Sequence, residues 1–206
     1  MSGPARSGPS DEDLLARFCN GESRCFEDLV RRYQTPLFNF ILRSVRHRAV
    51  AEEVLQDAWL RIVQGAAGFQ QTAKFSTWAY TVARNLCIDH ARKAALRNHP
   101  SLDQPAGKSD DGVSLGELLK DPRAVVDRDA ISRQLQIRLA GAIDALPEDQ
   151  REVFVLREYA GVPFKDIGDI VGAPENTVKS RMRYALERLQ EALADYEDYA
   201  QALGNG

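Results

Sequence analysis

The stretch FKDIGDIVGAPENTVKSRMRYALERL, at residues 164–189, carries the strongest structural signal in the C-terminal part of the chain. Apolar residues recur at helical spacing on both sides of a break at residues 172–174. Gly172 gives the turn a permissive backbone, and Gly168 is small at the point where the two helices would cross. The pattern therefore predicts a helix-turn-helix over residues 164–185.

The second helix of this motif carries a basic outer face. Its predicted inner stripe consists of Val178, Met182, Ala185 and Leu189. The predicted DNA-reading positions are Asn176, Lys179, Ser180, Arg183 and Tyr184. Between Asn176 and Leu189, four bases stand against one acid. Lysine and arginine can donate to guanine edges and asparagine can pair with adenine, so we expect this helix to enter a major groove. An ordinary helical hairpin with a solvated basic face is the alternative.

A second basic stretch is GFQQTAKFSTWAYTVARNLCIDHARKAALR, at residues 68–97. A long helix is predicted from about Thr77 to Arg97. Between Lys74 and Arg97, five bases stand against one acid. Aromatic side chains beside a positive groove suit unstacked bases. The candidate DNA-binding residues are Phe69, Trp78, Arg84, Asn85 and Arg92, with Phe75 and Tyr80 nearby. The alternative is that the aromatic residues belong to the core.

Two earlier helix signals concern the N-terminal part of the chain. Thr35-Pro36 predicts the start of a helix, because proline suits the first helical turn. Another helix is predicted from about Ala49 to Gln64, with Ala51, Leu55, Ala58 and Ile62 as its inner stripe. Its residues Glu53, Gln56 and Asp57 point away from that stripe.

Helical spacing also dominates the rest of the chain, and strand signals are scarce. Between His99 and Asp129, seven acids face four bases, and prolines and glycines interrupt the apolar pattern, as in an unstructured linker. The sequence thus predicts an all-α protein with two small helical domains joined by a flexible acidic linker. The predicted boundaries are 11–98 and 129–195 for the domains, 99–128 for the linker, and 1–10 and 196–206 for the tails.

Composition excludes several other classes of protein. The net charge is −3, so any DNA-binding surface must be a local patch. Three cysteines without metal or redox spacing indicate a reduced, cytoplasmic chain with no metal site and no cofactor. No apolar run approaches the length of a membrane span. Motifs for a catalytic nucleophile or a phosphate loop are absent from the sequence, so we expect no enzymatic activity.

Three stretches together resemble the extracytoplasmic-function (ECF) sigma factors of bacterial RNA polymerase. They are AEEVLQDAWLRI at 51–62, FSTWAYTVARNLCIDHAR at 75–92, and ALPEDQREVFVLREYAG at 145–161 continued by NTVKSRMRYALERL at 176–189. The resemblance covers residues 11–193. It implies a subunit that brings core polymerase to promoters, with a first domain that opens the −10 element and a second that reads the −35 element.

The resemblance also implies roles for individual residues. Glu53, Gln56 and Asp57 match positions that bind the clamp helices of the largest polymerase subunit. Asn85 matches a position that holds a flipped −10 base, in a pocket shaped by the loop at residues 65–74. The face from Asn176 to Tyr184 matches the −35 reader, and the second domain would touch the flap of the second-largest subunit. An anti-sigma factor is an expected partner.

Some positions depart from the family pattern. Pro163 and Lys165 stand where a polar cap and an acid are common, and Asn176 replaces a frequent glycine. Arg183 and Tyr184 are individual to this chain. These departures concern the promoter sequence and leave the role unchanged.

Two further classes of protein remain as alternatives. A stand-alone helix-turn-helix regulator would bind DNA without polymerase and would normally dimerise on a two-fold site, but no separate dimerisation helix is recognisable. A helical adaptor would bind proteins alone, and its function would survive loss of Lys179 or Arg183.

Overall fold

The computed structural model describes residues 8–70, 73–97 and 129–204. All regular structure within these ranges is helical, and the described residues contain no β-strand. This confirms the predicted all-α class. The linker predicted at 99–128 lies outside the described residues.

Four helices form an N-terminal body. They are α1 (Asp11–Cys19), α2 (Ser23–Val45), α3 (Arg48–Gly65) and α4 (Phe75–Arg97), and a 3₁₀ turn at Ala66–Gly68 follows α3. Each helix contributes side chains to one apolar core, in which Leu14, Leu29, Ile62 and Tyr80 are almost inaccessible to solvent. The outer faces of α3 and α4 are therefore presented on a packed support.

The helix start predicted at Thr35-Pro36 is wrong, because α2 runs through Pro36 without a break. Proline lacks the N–H that would donate to the carbonyl of Arg32, which costs about 3 kcal/mol inside a helix. Leu29 and Leu37, on either side of the proline, are both fully buried. Packing on both sides of Pro36 thus keeps the helix continuous.

The first turn of α4 is held by α1. Ser10 and Asp13 form a capping box that fixes the start of α1. The first turn of α1 contains Glu12, whose Oε1 accepts a hydrogen bond of 2.7 Å from the backbone N–H of Phe75. The start of α4 is therefore tied to the N-terminal helix by a charge-assisted bond.

The second half of the chain forms a C-terminal body. Its helices are α5 (Asp129–Ala145), α6 (Glu148–Phe154), α7 (Phe164–Val171) and α8 (Glu175–Gly204), and a π-helical turn at Val155–Tyr159 continues α6. Ile143, Leu156, Ile167 and Val178 are fully buried in its core. Helix α8 includes residues 196–204, which were predicted as part of the C-terminal tail.

The two bodies contact each other where α4 meets α7 and where α2 meets the π-helical turn. None of the described helices combines the length and the apolar character that crossing a membrane requires.

Candidate nucleic-acid interface

The turn between α7 and α8 depends on two glycines. Gly172 ends α7 in the left-handed region, with φ of 69°, and its N–H bonds to the carbonyl of Gly168. A Cβ atom on Gly168 would lie 2.8 Å from the carbonyl oxygen of Ala173. Both glycines thus have the roles that the sequence predicts, and together they allow α7 and α8 to form the helix-turn-helix.

Helix α8 separates a buried stripe from an exposed face. The stripe consists of Val178, Met182, Ala185 and Leu189, all of them buried as predicted. The exposed face carries all five predicted DNA-reading residues, Asn176, Lys179, Ser180, Arg183 and Tyr184. The five side chains therefore share one solvent-facing surface next to the turn.

The bases on this face are paired with acids of the same helix. Lys179 Nζ lies 2.7 Å from Glu175 Oε1, and Arg183 Nη1 lies 2.6 Å from Glu187 Oε1. The hydrogen bond to Glu187 raises the pKa of Arg183 above its usual value. The Arg183 guanidinium also lies 4.2 Å from the centre of the Tyr184 ring. Exposed pairs of this kind contribute at most about 1 kcal/mol, so DNA can displace them at little cost.

The aromatic residues at the start of α4 are divided between core and surface. Phe75 and Tyr80 are buried, so the core interpretation is right for these two. Phe69 and Trp78 are half-buried, with ring centres 5.0 Å apart. A Cβ atom on Gly65 would come within 2.9 Å of Trp78 Cζ2, so the glycine makes room for the indole.

The structure divides the predicted basic face of α4. Asn85 and Arg92 are exposed, whereas Arg84 is half-buried. Arg84 Nε lies 2.6 Å from Glu152 Oε1, on α6 of the C-terminal body. This partner could not be predicted from the sequence, because the two residues are 68 positions apart.

Three further contacts join the bodies beside this ion pair. Lys74 Nζ lies 2.5 Å from Asp166 Oδ2, and Asp166 is a buried residue of α7. The buried Arg43 places its guanidinium 3.9 Å from the centre of the Tyr159 ring. Arg46 Nη2 donates to the carbonyl oxygen of Asp144 at 2.7 Å. In each contact the cation belongs to the N-terminal body.

The exposed face of α3 carries the three predicted polymerase-binding residues. Glu53, Gln56 and Asp57 are exposed, and the predicted inner stripe of this helix is buried. Leu60, four residues after Gln56, lies on the same face with 58% of its surface exposed. Leu60 was not among the predicted site residues, although its position outside the inner stripe was a signal.

The three cysteines lie in different environments. All three are free thiols, and Cys25 and Cys87 are buried. Burial raises the pKa of Cys87 to about 12, which keeps this thiol protonated. Within the described ranges, no three His, Cys, Asp or Glu side chains are grouped so as to hold a metal ion.

Two family models match the chain in the order of the two bodies. Sigma-70 region 2 matches residues 29–97, and Sigma-70 region 4 matches residues 136–189. The first match contains α3 and α4, and the second contains the helix-turn-helix.

Several curated proteins are similar over nearly their whole length. RNA polymerase sigma-H factor of Pseudomonas aeruginosa is 30% identical over 89% of this chain and 93% of its own. ECF RNA polymerase sigma factor SigM of Mycobacterium tuberculosis is 31% identical, over 89% and 85%. SigW of Bacillus subtilis is 30% identical, over 85% and 92%.

Two solved structures share the fold. CnrH, in complex with the cytosolic domain of CnrY, superposes with a TM-score of 0.64 at 19% identity, over 91% of this chain and 99% of its own. RpoE of Bartonella quintana, in complex with the anti-sigma factor NepR, gives 0.61 at 22% identity, over 82% and 96%.

A helix-turn-helix body joined to a helical body with a basic helix, matched by both sigma-70 regions, defines an RNA polymerase sigma factor. The chain belongs to the ECF sigma factors. The chain directs RNA polymerase to promoters, as the resemblance implied. This function is favoured over that of a stand-alone regulator and over that of an adaptor.

Proposed function

We propose that this sigma factor binds core RNA polymerase through the exposed face of α3. Glu53, Gln56 and Asp57 would contact the clamp helices of the largest subunit, and the C-terminal body would contact the flap of the second-largest subunit. Leu60 supports the proposal, because an exposed apolar side chain among polar neighbours suits a protein contact. The chain would act as an initiation factor without catalytic activity of its own.

The −35 element is read by the exposed face of α8. In this proposal Asn176, Lys179 and Arg183 contact base edges or phosphates in the major groove, with Ser180 and Tyr184 beside them. The observation that carries the assignment is that all five side chains are exposed on a helix whose turn and buried stripe are already formed. Because this surface is already formed, DNA binding does not have to compensate for the entropy cost of folding it.

The −10 element is bound by α4 and the loop before it. Asn85 and Arg92 are exposed and can contact the non-template strand. Phe69 and Trp78 keep part of their rings accessible beside the loop, where an extruded base could stack. Arg84 completes this surface once it is released from Glu152. The functional division is then residues 11–98 for polymerase and −10 binding, and 129–195 for −35 binding, joined by 99–128.

Regulation by an anti-sigma factor is proposed from the solved relatives. RpoE of Bartonella quintana is complexed with the anti-sigma factor NepR. A corresponding partner of this chain would cover the α3 face or the DNA-binding faces of α4 and α8. Both this regulation and polymerase binding would take place in the cytoplasm.

Transcription with purified core polymerase on host genomic fragments tests this proposal. The chain should create discrete new 5′ ends that share two upstream elements. Substituting alanine for Arg183 should change use of the upstream element, and substituting alanine for Asn85 should reduce opening of the downstream one. If no new starts appear and the chain does not bind core polymerase, the proposal is wrong.

A further inference from the structure

The contact between the two bodies is ordered by charge. Lys74 and Arg84 of the N-terminal body each meet a carboxylate of the C-terminal body, Asp166 and Glu152 respectively. Nearby, Arg43 lies over the Tyr159 ring, and Arg46 donates a hydrogen bond to the carbonyl oxygen of Asp144. A basic surface of one body is thus neutralised by an acidic surface of the other.

The acids of these two ion pairs are more enclosed than those of the pairs on α8. The Asp166 side chain is 10% exposed and that of Glu152 is 18% exposed. The acids in the two pairs along α8 are 44% and 50% exposed. Enclosed carboxylates depend on their cationic partners, because a charge left alone in such a site is poorly solvated.

The covered surface overlaps the one that the proposed function assigns to the −10 strand. Arg84 is one of its bases, and Lys74 ends the loop beside it. Between these two residues, Thr77 and Thr81 occupy the same face of α4 by helical spacing, and both are half-buried. Carboxylates and DNA phosphates are both anions, so they compete for the same cations.

We propose that the structure is a closed, self-inhibited form of the free sigma factor. In this form Asp166 and Glu152 occupy the cations that a promoter strand would otherwise bind, and the N-terminal body can bind that strand only after the two bodies separate. Because the bound strand requires the open form, closure lowers the apparent DNA affinity by the fraction of chains that are open. This inference rests on the proposed role of α4 in DNA binding.

The first test measures closure without DNA. Spin labels are attached to the full chain through Arg24→Cys and Glu191→Cys, two exposed sites on different bodies, with exposed Cys19 changed to serine. Glu152→Gln with Asp166→Asn removes both carboxylates while keeping side-chain size. Wild-type pairing should give one short, narrow distance distribution, and the double variant should shift it to longer distances.

The matched control removes two acids that pair only within their own helices. Asp28→Asn with Glu52→Gln makes the same change in net charge. These acids pair with Arg31 on α2 and Arg48 on α3, so their removal leaves the contact between the bodies untouched. The control should keep the wild-type distances. Circular dichroism should show the same helix content in all three chains. If the double variant keeps the wild-type distances, closure by these pairs is refuted.

The second test measures DNA binding without polymerase. The full chain is titrated onto a fluorescent 20-nucleotide single strand of mixed sequence at fixed salt. The double variant should bind on the order of tenfold more tightly than the wild type and the control. Equal affinity in a chain that has opened would refute the inhibition, while the proposed promoter role would still stand.

A third measurement leaves Lys74, Arg84, Glu152 and Asp166 unchanged. Heparin, a polyanion, is added to the labelled chain that carries no other substitution. It should compete with the two carboxylates and shift the distances toward those of the double variant. Distances that do not respond to heparin while it binds the chain would contradict the competition. Failure of the proposed function itself would appear elsewhere, as holoenzyme that initiates normally when Asn85 is replaced by alanine.

Discussion

Helices α4 and α8 are both basic, but their bases are paired in different ways. On α8, Lys179 and Arg183 pair with acids one turn away on the same helix, and the pairs remain half exposed. On α4, Arg84 pairs with Glu152 of the other body, with only 25% of its side chain exposed. In the function that we propose, a similar charge count thus gives one helix whose basic face is already accessible to DNA and one whose DNA binding depends on a movement of the two bodies.

The first prediction concerns the turn between α7 and α8. Replacing Gly168 with alanine places a Cβ atom 2.8 Å from the backbone oxygen of Ala173, so α7 and α8 must shift apart. We expect the free energy of unfolding to fall by about 1–3 kcal/mol. Binding to the upstream promoter element should be lost, because the recognition face is displaced. Chemical denaturation and holoenzyme footprinting measure the two effects.

Gly141→Ala is the control for that substitution. A Cβ atom at Gly141 of α5 has no atom within 4 Å. Alanine in an exposed helical position should raise the free energy of unfolding by about 0.5–1 kcal/mol relative to glycine. Equal losses of stability at the two glycines would contradict the close approach described for Gly168.

The next effect concerns base reading by α8. Arg183→Ala should weaken promoter recognition by about 1–3 kcal/mol if the guanidinium contacts a base edge. Competition between promoter variants, measured with holoenzyme, gives this number. Arg188→Ala removes the same charge farther along α8 and should leave base preference unchanged. Unaltered selectivity in the Arg183 variant would end its assignment as a base reader.

The helix-turn-helix that contains α8 could be predicted from the sequence because its determinants are local. The glycines at 168 and 172, the buried stripe and the exposed bases all lie within one stretch of 26 residues. The helix start predicted at Pro36 was wrong, because the continuity of α2 depends on core packing that a local rule does not contain. The partners of Arg84 and Lys74 could not be predicted for the same reason. Glu152 and Asp166 are distant from them in sequence and become their neighbours only in the folded chain.

A third prediction concerns the exposed face of α3. Gln56→Ala with Asp57→Ala should weaken core polymerase binding on the order of tenfold, about 1.4 kcal/mol, because two polar contacts on α3 are lost. Fluorescence titration with core polymerase measures the affinity. Gln34→Ala with Asp28→Ala removes the same side-chain types from α2 and serves as the control. Normal core binding by the α3 double variant would place the interface elsewhere.

The last prediction concerns one ion pair of α8 and one of α4. Glu187→Gln breaks an exposed pair within α8 and should change the free energy of unfolding by about 0.5 kcal/mol or less. Glu152→Gln leaves Arg84 enclosed without its carboxylate and should cost about 1 kcal/mol. Thermal denaturation of both variants gives the difference. Equal, small costs would mean that the contact between the bodies is no stronger than a surface pair.

The most direct measurement replaces Asn176 or Asn85 with a photo-crosslinking residue and compares free chain with holoenzyme on the same promoter. We predict that the probe on α8 crosslinks upstream DNA in holoenzyme. The probe on α4 should crosslink the −10 strand strongly only in holoenzyme, where the two bodies are apart. Equal crosslinking by the α4 probe in the free chain would contradict the account, as would the absence of −10 crosslinks in an active holoenzyme.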